Sequence, residues 1–174
     1  MERLSREAGA AGNLGRNLDG PASKTYSHLV EEGTLIMTWP EQLLRDRGEL
    51  LPPADPGVIE EVARSLGIHF PQEYVEFLLW ADGGILPGKR FLLYSVGPGL
   101  HPAETILAAN RDRPADFPLL LIGRDAFEEF GFLKAELVAP KPTSPLYLWL
   151  HETEATKQLA SSFSAFIRSI VTKD

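Results

Sequence analysis

The chain has 174 residues, 44% of them apolar and 24% charged, a composition that suits one globular domain with some excess at an end. A net charge of −7 and the lack of any Lys or Arg run argue against binding to nucleic acid. Without cysteine, the chain forms no disulfide, no thiol nucleophile and no Cys-based zinc site.

Residues 1–33 are rich in Gly, Ala, Asn, Ser and Arg, and their few Leu residues hold no period. They are expected to form a flexible N-terminal arm, with a turn of helix over Tyr26–Glu32, and residues 34–174 the folded domain. Met37 offers an alternative start. The N-terminus lacks the apolar stretch of a secretory signal. No apolar run approaches the roughly 18 residues of a membrane span. Together with the absent cysteines, this leads to the expectation of a cytoplasmic protein with no membrane partner.

Leu35–Trp39 is a short apolar run, and Pro40 after it suits the first position of a helix over Glu41–Arg47. Acid early and base late is the order the helix dipole favours, and Gly48 ends the helix. Asp55-Pro56 starts the next helix as N-cap and N1, Val58, Ile59, Val62 and Leu66 repeat at helical spacing, and Gly67 follows as C′. Pro71 opens a third helix with Gln72 and Glu73 in its first turn. Tyr74, Phe77, Leu78 and Ala81 line one face, Val75, Leu79 and Trp80 widen it, and Asp82-Gly83-Gly84 stops it.

The period then changes. Strands are expected at Phe91–Val96, Leu119–Ile122, Glu129–Val138 and Leu146–His151, with a short helix over Pro102–Ala109. On the last strand, Tyr147 and Trp149 share one side. Leu159, Phe163, Phe166, Ile167 and Ile170 read as the stripe of one closing helix from about Ala155 to Val171. Short links between strands make the fold α+β, a mostly antiparallel sheet packed with N-terminal helices and a closing C-terminal helix.

Catalytic motifs are sparse. His28, His69, His101 and His151 show no metal-binding spacing, and His69 is expected to pack or cap. Ser161, Ser162 and Ser164 lie in no GxSxG elbow, and Gly97-Pro98-Gly99 is a turn, because proline removes an amide a phosphate nest would use. The closest acidic set is Asp125, Glu128 and Glu129 beside a turn, read either as a solvated loop or as an acidic patch facing a basic partner. No catalytic residue, metal ligand or cofactor site follows from the sequence. A small hydrolase or ligand-binding enzyme built from converged His and acidic residues stays open as an alternative.

The stretch LGIHFPQEYVEFLLWADGG, Leu66 to Gly84, resembles the signature of the SUKH superfamily, the Smi/Knr-like proteins. Leu66-Gly67 match its helix end, Phe70-Pro71 stand for Leu-Pro, Tyr74 and Phe77-Leu78 match, and Asp82-Gly83 stand for Asn-Gly. Trp39 with the helix after it, Pro53-Ala54-Asp55, Leu119–Gly123 with Asp125, Pro145–Leu150 and Leu159–Ile167 resemble further parts of the family, in order, from about Trp39 to Val171. Three positions depart from the pattern. Ala63 stands where many members carry glutamate, Asp82 replaces the Asn, and Asp125–Glu129 replaces a glycine-rich turn. The resemblance implies a non-enzymatic binding protein. Bacterial members are mostly immunity proteins that block a cognate toxin, often a nuclease or deaminase. Fungal relatives regulate cell-wall synthesis and signalling. The leading expectation is therefore a toxin-neutralising protein. A regulatory or scaffold module without a toxin is the alternative. Leu66, Gly67, Phe70, Pro71, Tyr74, Phe77, Asp82 and Gly83 are expected to be structural.

Overall fold

The computed structural model describes residues 40–172, so the expected arm, the Tyr26–Glu32 turn, Leu35–Trp39 and His28 lie outside the described residues. Helix α1 (Glu41–Arg47) ends at Gly48, whose N–H returns to the Leu44 carbonyl at 2.9 Å. Strand β1 (Glu49–Leu50) follows. Helix α2 (Pro56–Leu66) starts as its sequence dictates: the Asp55 carboxylate accepts from Gly57 N at 2.7 Å, and Pro56 occupies the first turn. Gly67, in the left-handed region at φ 65°, closes it.

Helix α3 (Gln72–Trp80) begins just after Pro71. Its first amides, from Gln72 and Glu73, donate to the carbonyls of Lys141 and Pro142 at 3.0 and 3.1 Å. A distant proline-rich loop thus satisfies the donors that every helix N-terminus leaves open. Tyr74, Val75, Phe77, Leu78 and Trp80 are all buried, which makes α3 the central helix.

Among the described residues, seven strands form one antiparallel sheet in chain order: β1, β2 (Gly84–Ile85), β3 (Leu92–Leu93), β4 (Leu119–Arg124), β5 (Glu129–Leu133), β6 (Leu146–Leu150) and β7 (Ala155–Ala160). Helix α4 (Ile106–Arg111) lies between β3 and β4 in sequence, and helix α5 (Phe163–Val171) closes the described chain. The fold is α+β, as the sequence implies.

Paired residues in the register share a side of the sheet. Phe130 and Phe132 of β5 lie opposite Leu148 and Leu146 of β6. That side carries the core: the Tyr74 ring sits 5.4 Å from Phe132 and 4.9 Å from Phe163, and Phe130 sits 5.1 Å from Phe166. Alternation puts Glu129, Gly131, Tyr147 and Trp149 on the side away from α3 and α5. Strand β3 ends early, and the side-chain amide of Asn110 takes its place beside β4, donating to Leu121 O and accepting from Leu121 N, each at 2.9 Å.

Four expected elements are corrected, one of them the strand expected over Phe91–Val96, which forms a strand only at Leu92–Leu93 as β3. The helix expected from Ala155 begins only at Phe163, because Ala155–Ala160 pairs with β6 as strand β7. Ladder bonds to β6 outweigh a stripe to which only Leu159 contributes from that stretch, and the Ser162 hydroxyl caps the true helix by accepting from Ala165 N at 3.0 Å. The strand expected over Glu129–Val138 stops at Leu133. The chain then turns through a 3-10 segment, Lys134–Glu136, where Leu137 N donates back to Lys134 O at 3.0 Å. Ser162 and Ser164 therefore lie at the start of α5 rather than within a longer helix, and the helix expected over Pro102–Ala109 is α4, shifted toward the C-terminus.

Tyr74 gives a test of the core. Its side chain is fully buried, and its hydroxyl has no hydrogen-bond partner among the described residues. Burial pushes its ionisation well above the usual tyrosine range. An unsatisfied buried hydroxyl costs about 1–3 kcal/mol, so its removal recovers part of that and leaves a void of one atom. Tyr74→Phe is expected to leave stability unchanged or raise it by about 1 kcal/mol, read from the urea midpoint. A loss of that size would show instead that the hydroxyl is bonded.

Candidate protein-binding surface

One end of the sheet gathers the two turns that join its longest strands. The β4–β5 turn, Asp125 to Glu128, is set by its own residues. Asp125 Oδ1 accepts from Phe127 N and Glu128 N, both at 2.8 Å, and Asp125 N donates to Glu128 O at 2.8 Å. The β6–β7 turn begins at His151, whose N–H donates to Glu128 Oε2 at 3.3 Å, so the two turns lie side by side.

The three acids read from the sequence do meet here, but much of their charge is used within the molecule. Arg90 lies 3.9 Å from Asp125, Arg113 pairs with Glu129, and His151 Nε2 lies 3.9 Å from Glu128 and 3.7 Å from Glu129. The Asp125 and Glu129 side chains are only 11% and 17% exposed. What the turn presents instead is Phe127, 87% exposed.

The surrounding electrostatics favour an excess of acid. Arg124 pairs with Glu104 and Lys89 with Glu49, each at 3.2 Å, so the nearby bases have acidic partners. Glu152 and Glu154 of the β6–β7 turn are exposed and make no ion pair among the described residues. Tyr94 lies among Glu129, Arg124, Arg113 and Glu104. Burial, with Glu129 adding to it, pushes its hydroxyl up to about 12.

Beside the tip runs an open groove of about 320 Å³, with Phe91, Leu92 and Leu100 as apolar wall and Arg90, Arg124 and Asp125 at its polar edge. Leu100 is 52% exposed. On the side of the sheet away from α3 and α5, Trp149 meets Phe117 edge-on at 4.8 Å, and the Arg113 guanidinium lies 5.1 Å above the Phe117 ring. Tyr147 and Trp149 are half-buried.

Of the other described histidines, His101 bonds a neighbouring amide through its side chain and His69 reaches a distant segment through its backbone. His101 Nδ1 accepts from Ala103 N at 3.2 Å, and the His69 backbone donates to Leu137 O at 2.8 Å. Among the described residues, no group of three His, Asp or Glu is placed to hold a metal ion, and no helix is long and apolar enough to cross a membrane.

The signature residues shape the frame. Leu66 and Gly67 end α2, Phe70 and Phe77 are buried, and Pro71 precedes α3. Gly83 adopts φ 77°, and the buried Asp82 carboxylate accepts from Val96 N at 2.7 Å and Gly97 N at 2.9 Å. Asp82 therefore clamps the exit of β3 to the end of α3, a wider role than stopping a helix. Burial raises its carboxyl above the usual range, with the two amides working in the other direction.

An α+β domain results, with α3 and α5 on one side of an antiparallel meander and two hydrogen-bonded turns side by side at one end. The chain belongs to the SMI1 / KNR4 family (SUKH-1), whose family model matches residues 53–169, from the loop before α2 into α5. A comparison with curated proteins gave no match. The family is generally one of non-enzymatic, protein-binding immunity modules, and membership fits an immunity or regulatory role.

Proposed function

We propose that this chain is a cytoplasmic immunity protein that neutralises a cognate toxin by stoichiometric binding. Membership of the family over residues 53–169 carries this reading. The net charge of −7 and the acidic turn end support it, since an acidic surface complements the basic active-site cleft of a toxin that acts on a polyanion. Glu128 is the member of the acidic set with the largest side-chain exposure, at 25%, while Asp125 holds the turn through its amides and Glu129 pairs with Arg113.

The test is co-expression with the toxin domain encoded beside this chain's gene. The expected results are rescue of growth, a one-to-one complex on gel filtration, and an association rate falling about tenfold as salt rises from 0.05 to 0.5 M. The absence of both rescue and a complex would sink the proposal. If instead the gene has no toxin neighbour and the chain co-purifies with a housekeeping assembly, the regulatory reading replaces it.

A further inference from the structure

We infer that Phe127 is the anchor of this interaction, an aromatic knob that enters an apolar pocket with a basic rim on the partner protein. The inference rests on the reading above and adds which residue carries the binding and what the partner must present.

An aromatic side chain at a turn tip has a poor structural rationale. Phe127 is 87% exposed, so it adds nothing to the core, while Phe130 and Phe132, three and five residues on, are fully buried. Left in water, the ring keeps an unfavourable apolar surface; seated in a pocket, it becomes the kind of residue that dominates an interface. The turn holds it ready. Its own N–H and that of Glu128 are tied to Asp125, and Glu128 is tied to the neighbouring turn through His151 N, so little backbone freedom is lost on docking. The apolar surface continues past Ala126 to Leu100 and the groove beside the tip, which gives the partner a second foothold. The rim settles the sign of the partner's charge. Lys89, Arg90, Arg113 and Arg124 are each paired with an acid, which leaves Lys157 as an exposed base against the exposed Glu152 and Glu154, neither of which makes an ion pair among the described residues, so the balance at the tip favours a basic rim and opposes an acidic one.

Val138 supplies the control. It too is a strongly exposed apolar side chain, at 76%, and it follows the far end of β5. The partner is the toxin domain encoded beside this chain's gene, catalytically inactivated. Phe127→Ala is expected to weaken its binding at least ~30-fold, mainly through faster dissociation, with the chain's thermal midpoint unchanged. Phe127→Trp should stay within about threefold of wild type, and Val138→Ala should bind as wild type. Charge reversal at both Glu152 and Glu154 should slow association about tenfold. Binding by Phe127→Ala as tight as wild type would overturn the anchor while leaving the toxin-binding reading intact. No complex with the wild-type chain would overturn both. A wild-type chain that is dimeric alone and monomeric as Phe127→Ala would assign the tip to a second copy and overturn the proposed partner.

Discussion

Gly131→Ala is expected to destabilise the domain by about 4 kcal/mol, more than an added methyl costs at an ordinary buried site. Gly131 lies in the middle of β5, paired with Leu121 on one side and Tyr147 on the other. A Cβ there would fall on the Leu120 carbonyl oxygen, with the Leu120 carbonyl carbon at 2.7 Å and the Leu121 Cα at 2.9 Å. All three atoms are backbone, so no rotamer relieves the overlap. The register also shifts between Leu121 and Gly123 opposite this residue, so β4 already bends around the glycine. To admit the methyl, β4 and β5 must part, and each ladder bond lost in the buried sheet costs about 1 kcal/mol on top of the overpacking. At 2–4 °C per kcal/mol for a chain of this size, the thermal midpoint should fall by roughly 10 °C. Circular dichroism melts of purified protein read this directly. A fall under about 3 °C would mean that the two strands give way easily and the argument fails.

The glycine is a useful measure of what the sequence discloses. Helix boundaries were legible wherever the cause is local. Asp55-Pro56 and Gly67 bound α2 because capping acts within a few residues, and Pro71 and Gly48 act likewise. The continuous run Leu119–Ile122 is β4 because a strand covered on both sides needs apolar residues throughout. Strands β1, β2 and β3 have two residues each, too short for any period to register. β7 hid behind a shared stripe: Leu159 fits the spacing of Phe163 and Phe166, and only pairing with β6 decides against a helix.

The candidate surface was half legible. Asp125, Glu128 and Glu129 were visible as a cluster beside a turn, but their partners were not, since Arg113 and His151 arrive from 16 and 23 residues away. Those partners take up part of the Glu128 and Glu129 charge within the molecule, while Asp125 is tied into its own turn, so the patch is only partly presented. Phe127 stands between them in the sequence and gave no signal by period. The available clue was its position: an aromatic residue inside a turn between two expected strands has no core face to occupy. The alternation puts Tyr147 and Trp149 on one side of β6, but the Phe117 ring that covers Trp149 comes from the segment before β4, which no local pattern discloses.

The second large effect concerns a residue whose role no local pattern reveals. Glu73 sits in the first turn of α3, where an acid is ordinary and expected to face solvent. Instead it is only 7% exposed, and its carboxylate accepts from Phe163 N at 2.8 Å and Ser164 N at 3.0 Å. These are the first two amides of α5, 90 and 91 residues away in sequence. The Ser162 hydroxyl serves Ala165 N, so the N-terminus of α5 is capped jointly by its own serine and by the side chain of another helix. Such bonds to a charged acceptor are stronger than neutral ones, and the helix dipole adds to them. Glu73→Ala would leave two amides buried and unpaired at about 1–3 kcal/mol each, so a loss of about 3–5 kcal/mol is expected. Glu73→Gln keeps one acceptor oxygen and should lose roughly half as much. The loss should be local as well as global. Amide exchange in α5 should accelerate first, because Phe163 packs on Tyr74 of α3 and Phe166 on Phe130 of the sheet while Glu73 fixes where the helix starts. If Glu73→Ala stayed within about 1 kcal/mol of wild type and α5 exchanged no faster, water would be replacing the carboxylate. Packing alone would then position the closing helix.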